Sequence, residues 1–194
     1  MSDELTARQR EIIERALELL VEIGARGFTM KRLAEKIGVT EAALYRHFET
    51  KNDIMLAIVR DFDERARNDL AKALPSGWRG VEAFITARVE QVAQRPALAR
   101  ALFTEELFVE SRECAELMTN MFKRHRERML EAFQEAKESG EIRDDISNDL
   151  LFTMVFGAVR QLVKEWARSK AAFSLDRKRD ELLKAFRQTL DVKE

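Results

Sequence analysis

The sequence predicts an all-α fold, with a small N-terminal bundle of three helices followed by a larger helical body. Three observations carry this. Of the 194 residues, 45% are hydrophobic and 36% charged, and a charged share above the roughly 25% of an average domain suits amphipathic helices with dense surface charge. Only two prolines and seven glycines are available to interrupt structure. Apolar residues recur at spacings of three and four, and no alternation of the strand type is bounded by turns.

Residues 5–24 set Ile12, Ile13, Ala16, Leu17, Leu20 and Ile23 in one helical stripe, which Gly24 and Gly27 are expected to stop. Thr29 offers a capping hydroxyl to a short second helix, whose buried side is Met30, Leu33, Ala34 and Ile37. In Gly38-Val39-Thr40 the glycine tolerates a left-handed backbone, Val39 plugs the core and Thr40 caps the next helix. The third helix is expected over residues 41–48, with Leu44 and Phe48 facing inward. Thr40, Ala42, Ala43, Tyr45, Arg46 and His47 face mostly outward. A longer helix begins after Lys51, capped by Thr50 or Asn52, with Ile54, Ile58, Phe62 and Ala66 on its apolar side. Beyond Pro75-Ser76-Gly77, helices are expected over residues 78–94, 97–110, 112–138, 147–170 and 175–191. The modules meet inside the helix after Lys51, giving a head of residues 1–52 and a body of residues 53–194 with no flexible linker.

Several function classes are disfavoured. The lone Cys114 excludes an internal disulfide, and two histidines leave little material for a metal site. Cys114 and His125 stand about 16 Å apart along one helix, too far to share an ion. No nucleophile with a base and no phosphate-cradling glycine loop is present, so neither an enzyme nor a cofactor protein is expected. The N-terminus lacks an apolar stretch behind a basic start, and the nearly apolar run from Leu150 to Val159 is far short of the ~20 residues that span a bilayer. A cytoplasmic protein without membrane association is expected. Net charge is −1, so any affinity for nucleic acid must be local. Between Arg26 and Lys51, six basic residues (Arg26, Lys31, Arg32, Lys36, Arg46, Lys51) stand against Glu35, Glu41 and Glu49.

A short helix, a glycine turn and a second short helix with an exposed polar face form a helix-turn-helix, which can lay one helix in a DNA major groove. A helical hairpin built for protein contacts has the same periodicity. The exposed face separates the two readings. Small Ala42 and Ala43 allow close approach to base edges, while Tyr45, Arg46 and His47 reach phosphates or bases. The run from Gly27 to Lys51 contains Gly27-Phe28-Thr29, Leu33-Ala34 followed by Gly38-Val39-Thr40, and Leu44-Tyr45-Arg46-His47-Phe48 followed by Lys51. It resembles the DNA-binding module of TetR-type repressors, with Leu33 where isoleucine and Thr40 where serine are common. The resemblance is close over about residues 10–60 and implies specific roles. Thr29 and Thr40 would donate to phosphates, Tyr45 and His47 would clamp the backbone, and Lys51 would pair with a further phosphate. Ala42, Ala43 and Arg46 would face bases, and Lys31 and Arg32 would add phosphate contacts. For Lys31, Arg32 and Arg46 a solvated surface role is an equal alternative.

One such module covers too little DNA for tight binding, so a homodimer is expected, with recognition helices about 34–36 Å or more apart on a palindromic double-stranded operator. Residues 147–166 are apolar almost all round, and a helix of that kind is buried on more than one side. The resemblance implies a four-helix bundle across a two-fold axis, with Met154, Gly157, Ala158, Gln161, Leu162, Leu183 and Phe186 as interface candidates; a wholly intrachain central helix is the alternative. It also implies an unknown small-molecule effector among the body helices, whose binding moves the helix after Lys51 and releases the operator. Candidate pocket residues are Phe84, Phe103, Phe108, Met118, Met121, Phe122, His125, Phe152 and Phe156, which serve an ordinary core equally well. Glu105 or Glu106 turned inward would favour a cationic ligand; at the solvent edge neither would matter.

Overall fold

The computed structural model describes residues 5–71, 75–103 and 111–191. Among these residues there is no strand, and the helices are α1 (Ala7–Gly27), α2 (Met30–Ile37), α3 (Glu41–Tyr45), α4 (Lys51–Ala71), α5 (Gly77–Ala93), α6 (Pro96–Phe103), α7 (Arg112–Glu138), α8 (Asn148–Arg168) and α9 (Leu175–Leu190).

The first helix does not stop at Gly24. That residue takes φ 70° and ψ 172°, and helical structure resumes to Gly27, because a glycine absorbs a left-handed kink in one residue without a Cβ clash. The orphan carbonyl of Gly27 then accepts from Arg32 Nη1 at 3.0 Å. Ile12, Ile13, Ala16, Leu17 and Leu20 are buried as their spacing requires, whereas Ile23 lies beyond the packed stripe and is exposed.

Thr29 caps α2, its Oγ1 accepting from Arg32 N at 3.2 Å. Gly38 ends α2 at φ 78° and donates to the Ala34 and Glu35 carbonyls. Thr40 Oγ1 accepts from Ala43 N at 3.2 Å and starts α3. α3 stops at Tyr45, shorter than the periodicity suggests. Thr50 N donates to Asp53 Oδ2 at 2.8 Å and Asp53 N donates to Thr50 Oγ1 at 3.1 Å. This reciprocal cap settles the choice for Thr50 as the start of α4. Phe48 is buried all the same. Asn52 instead donates to Glu113 Oε2 of α7 at 3.2 Å.

The head core is Leu17, Phe28, Leu33, Leu44, Ile54 and Ile58, each at most 2% exposed. α4 belongs to both parts, packing on α1 and on α5 and α7. In the body, α5 lies against α7 and α9, and α8 against α6, α7 and α9. Trp78, Ile85, Leu98, Phe133 and Val155 are fully enclosed. α6 rests on α1, and at the α5–α6 turn Arg95 bridges Glu14 of α1 and Asp61 of α4. The helix expected over residues 97–110 is described to Phe103, and residues 104–110 lie outside the described residues.

Candidate nucleic-acid interface and buried cavity

Burial of Leu44 and Phe48 orients α3 and turns its remaining side chains outward. Thr29, Lys31, Arg32, Thr40, Ala42, Arg46 and His47 are exposed, as is Tyr45 at 46%, while Ala43 and Lys51 are half-buried. All ten predicted residues thus lie on or beside α2, α3 and the start of α4. Thr29 and Thr40 use an oxygen lone pair for capping, which leaves each hydroxyl proton for an outside acceptor. Lys51 Nζ sits 5.9 Å from the Phe28 ring centroid, which orients the first residue of α4. Gln9 Nε2 donates to the His47 carbonyl at 3.3 Å and ties α1 to the end of α3.

Arg32 departs from the expectation of a phosphate contact in one respect: one arm of its guanidinium is engaged on Gly27 O. Lys36 also leaves the face, held by Glu22 at 2.7 Å and Glu18 at 3.6 Å. The hydrogen bond to Glu22 raises its pKa above the ordinary lysine value. Arg32 and Lys36 are thus engaged within the head, while Lys31 and Arg46 are exposed beside the hydroxyls and Lys51 is half-buried at the start of α4.

A cavity of about 230 Å³ lies between α4, α5, α6, α7 and α8. Of the expected residues, Met118, Met121, Phe122, His125 and Phe156 line it. Phe84 and Phe152 do not. The Phe84 ring sits edge-on to His125 at 5.2 Å, and Phe152 stacks on Phe156 at 4.9 Å, so each supports a lining ring instead. Phe108, Glu105 and Glu106 lie outside the described residues, as does the side chain of Phe103. Sequence reasoning missed Phe62 of α4, Arg88 of α5 and Arg160 of α8. A signal for Arg88 was present: it interrupts the apolar stripe of Val81, Phe84, Ile85, Val89 and Val92.

Arg88 is 8% exposed and its guanidinium carbon lies 6.0 Å from the Phe84 ring centroid. His125 is 3% exposed, and its Nε2 has no hydrogen-bond partner. Burial, then the neighbouring Arg88, push its pKa down to about 4, so the ring is neutral at neutral pH. Beside it, Asp63 of α4 is 3% exposed and is held by Arg67 of its own helix and by Arg124 of α7. This pair joins α4 to the helix that carries His125. Cys114 is buried and burial pushes its thiol up, opposite to the shift of a reactive thiolate. Among the described residues no group of His, Cys, Asp and Glu could hold a metal ion, and no helix is long and apolar enough to cross a membrane.

On α8, Leu151, Val155, Val159, Val163 and Trp166 turn into the chain, while Leu150, Gly157 and Gln161 are exposed and Met154, Ala158 and Leu162 half-buried. Phe186 of α9 is half-buried. Leu183 falls away from this open side: it is 7% exposed, buried inside its own chain, and α9 packs on both α5 and α8.

Comparison with known proteins agrees with this layout. Residues 12–58 match the family described as bacterial regulatory proteins, tetR family, and residues 58–188 match the YsiA-like protein, C-terminal region. The HTH-type transcriptional repressor Rv1474c of Mycobacterium tuberculosis is 30% identical over 152 residues, covering 77% of this chain and 76% of that protein. The fold is similar to that of the ketosteroid transcriptional regulator KstR2 of Mycobacterium tuberculosis, with TM-score 0.80, 18% identity and 98% of both chains covered. It is also similar to the transcriptional regulator FadR from Bacillus subtilis in complex with stearoyl-CoA, with TM-score 0.72, 21% identity and coverage of 92% and 96%. These relatives are transcriptional regulators and not enzymes. The chain belongs to the tetR family of bacterial regulatory proteins and is a DNA-binding transcriptional repressor with a YsiA-like body.

Proposed function

We propose that the protein acts in the cytoplasm as a homodimer that grips a palindromic operator and lets go when a small, largely apolar ligand fills the body cavity. The observation that carries the DNA-reading part is the exposed face of α3 and its flanks. There Thr29, Thr40, Tyr45, His47 and Lys51 serve the phosphates, with Lys31 and the remaining arm of Arg32 beside them. Ala42, Ala43 and Arg46 meet base edges, Arg46 with the geometry for a bidentate contact to guanine.

Dimerisation is assigned to α8 and α9 through Met154, Gly157, Ala158, Gln161, Leu162 and Phe186. Support comes from this stripe of exposed and half-buried residues left open on an otherwise apolar α8, with half-buried Phe186 of α9 beside it in the assignment. The head is residues 1–52 and the body residues 53–194, a division supported by the two family matches meeting at residue 58. α4 is the element through which a ligand acts. It lends Phe62 to the cavity, holds Arg124 through Asp63, and shares Arg95 with α1 through Asp61. A ligand that favours one position of α4 shifts the separation of the two heads and hence the operator affinity. The stearoyl-CoA bound by FadR of Bacillus subtilis supports an apolar effector.

The test is selection of bound duplexes from a random pool by the full chain and by Tyr45→Ala and Lys51→Ala variants. The parent is expected to enrich a palindrome that both variants lose or bind far more weakly. No enrichment at low salt would make the head a protein-contact surface instead.

A further inference from the structure

α4 joins the head to the body as one continuous helix, and a single helix leaves rotation about its own axis open. The body holds α4 at three consecutive residues: Asp61 by Arg95 of the α5–α6 turn, the Phe62 carbonyl by Gln91 Nε2 of α5 at 3.1 Å, and Asp63 by Arg124 of α7. A fixed angle between head and body needs a further point of attachment on the head. Glu14 of α1 supplies one, since the guanidinium that holds Asp61 through Nη1 holds Glu14 through Nη2, each at 2.5 Å.

Arg95 is presented from a rigid place. Its N–H donates to the Val92 carbonyl at 3.1 Å, its own carbonyl accepts from Ala99 N at 3.2 Å, and Pro96 fixes the backbone that follows. Its side chain is 13% exposed and that of Asp61 12%, and Arg95 Nε is buried without a hydrogen-bond partner. An ion pair so withdrawn from water is weak evidence of stability, because apolar packing often serves as well; fixing one arrangement among several is its better attested use. The double contact also calls for arginine, whose planar fork offers donors in fixed directions where a lysine ammonium is a single point charge. Beyond Glu14, α1 runs about 7.5 Å back to Gln9, whose Nε2 donates to the His47 carbonyl just past the end of α3. The turn that follows cavity-lining Val89 and Val92 is thereby joined to the reading helix through α1 as well as through α4.

We infer that Arg95 is a positioning residue for DNA recognition: it clasps α1 against α4, sets the angle of the head on the body, and so fixes the half-site separation that the dimer accepts. The last step rests on reading the protein as an operator-binding homodimer; the clasp itself does not.

The test reads position and function separately. Spin labels at Glu49→Cys in the head and Asn120→Cys on α7, both exposed positions, are placed in the full chain with the buried cysteine removed as Cys114→Ala. Labelled chains are diluted in unlabelled ones, so that pulsed dipolar spectroscopy reads the head-to-body distance within one chain, without DNA. The parent is expected to give one narrow distribution. Glu14→Gln, which frees the head while leaving Arg95 on Asp61, should broaden it or add a second distance, and Arg95→Lys should do the same. In selection of bound duplexes the parent should accept one half-site separation. Glu14→Gln should accept neighbouring separations as well and bind the parent's duplex at least about fivefold more weakly, with the sequence inside each half-site unchanged. An unchanged distance distribution in Glu14→Gln overturns the inference. So does a broadened one with the parent's half-site separation and affinity, or a lowered denaturant midpoint as the variant's sole effect, which would make the clasp structural only. If Arg95→Lys does not fold, Glu14→Gln decides, as a change at a half-exposed carboxylate. A parent that enriches no palindrome sinks the operator reading alone, and the distance measurement still decides the clasp.

Discussion

The head and the body solve opposite problems. In the head most side chains assigned to DNA are exposed, and the work of holding them falls largely to Leu33, Leu44 and Phe48 in the core and to Gly38 and Thr50 at the helix ends, with Thr29 and Thr40 doing both. In the body much of the cavity wall is itself core, and the ionisable groups Arg88, His125 and Asp63 are buried among it. Function and stability are therefore largely separable in the head, the capping threonines Thr29 and Thr40 excepted, and entangled in the body. Exposed side chains can be exchanged at little cost, whereas a buried ionisable group must be partnered, neutralised or supplied by the ligand.

The largest effect expected from this contrast concerns pH. His125 faces Arg88 from α5, Asp63 from α4 and Arg124 from its own helix. Its folded pKa of about 4 lies below the ordinary histidine value of 6.5, so protons favour the unfolded state. The stability of the neutral ring is present above pH 6.5 and is lost as pH falls toward 4. At about 1.4 kcal/mol per unit, this amounts to about 3 kcal/mol. Urea unfolding followed by Trp78 and Trp166, both in the body, should show the loss, and His125→Gln should flatten it; equal slopes in parent and variant would break the contrast. Asp63→Ala comes next. Arg67 and Arg124 can still reach water, being 57% and 33% exposed, so the cost is about 2 kcal/mol, below that of a fully buried broken pair. Denaturant midpoints measure it. In the head, Thr40→Ala removes a cap and should cost about 1 kcal/mol by the same measurement. The smallest change is that of Arg46→Ala. Its stability should stay within about 0.5 kcal/mol of the parent, while the duplex sequence it selects becomes less specific at one position in each half-site.

The same contrast explains what the sequence discloses. The head is nearly all local: stripe, cap, left-handed glycine, cap and recognition helix succeed one another within residues 7–51, and most predicted face residues are exposed, with Ala43 and Lys51 half-buried and Arg46 and His47 just past the end of α3. The exceptions are local side-chain choices that the apolar spacing does not encode, such as Arg32 reaching back to Gly27 and the Thr50–Asp53 cap that starts α4. The cavity is assembled from five helices. Met118, Met121, Phe122 and His125 are legible because one helix presents them together. Phe62, Arg88 and Arg160 are not, since only tertiary packing brings α4, α5 and α8 around one space. Phe84 and Phe152 look identical to lining residues in sequence, and their position one layer back depends on ring packing that no periodicity encodes. Leu183 reads as part of the open side for a similar reason: its stripe cannot say which neighbour will cover it.

The most direct test of the central claim is the salt dependence of binding to the selected duplex, for the parent and for Lys51→Ala. The parent is expected to lose affinity steeply and linearly in log–log form, and the variant to reduce that slope by about 1 per protomer, as a lost phosphate contact should. A flat dependence in the parent, or an unchanged slope with Lys51 removed, would contradict the assignment of this face to DNA.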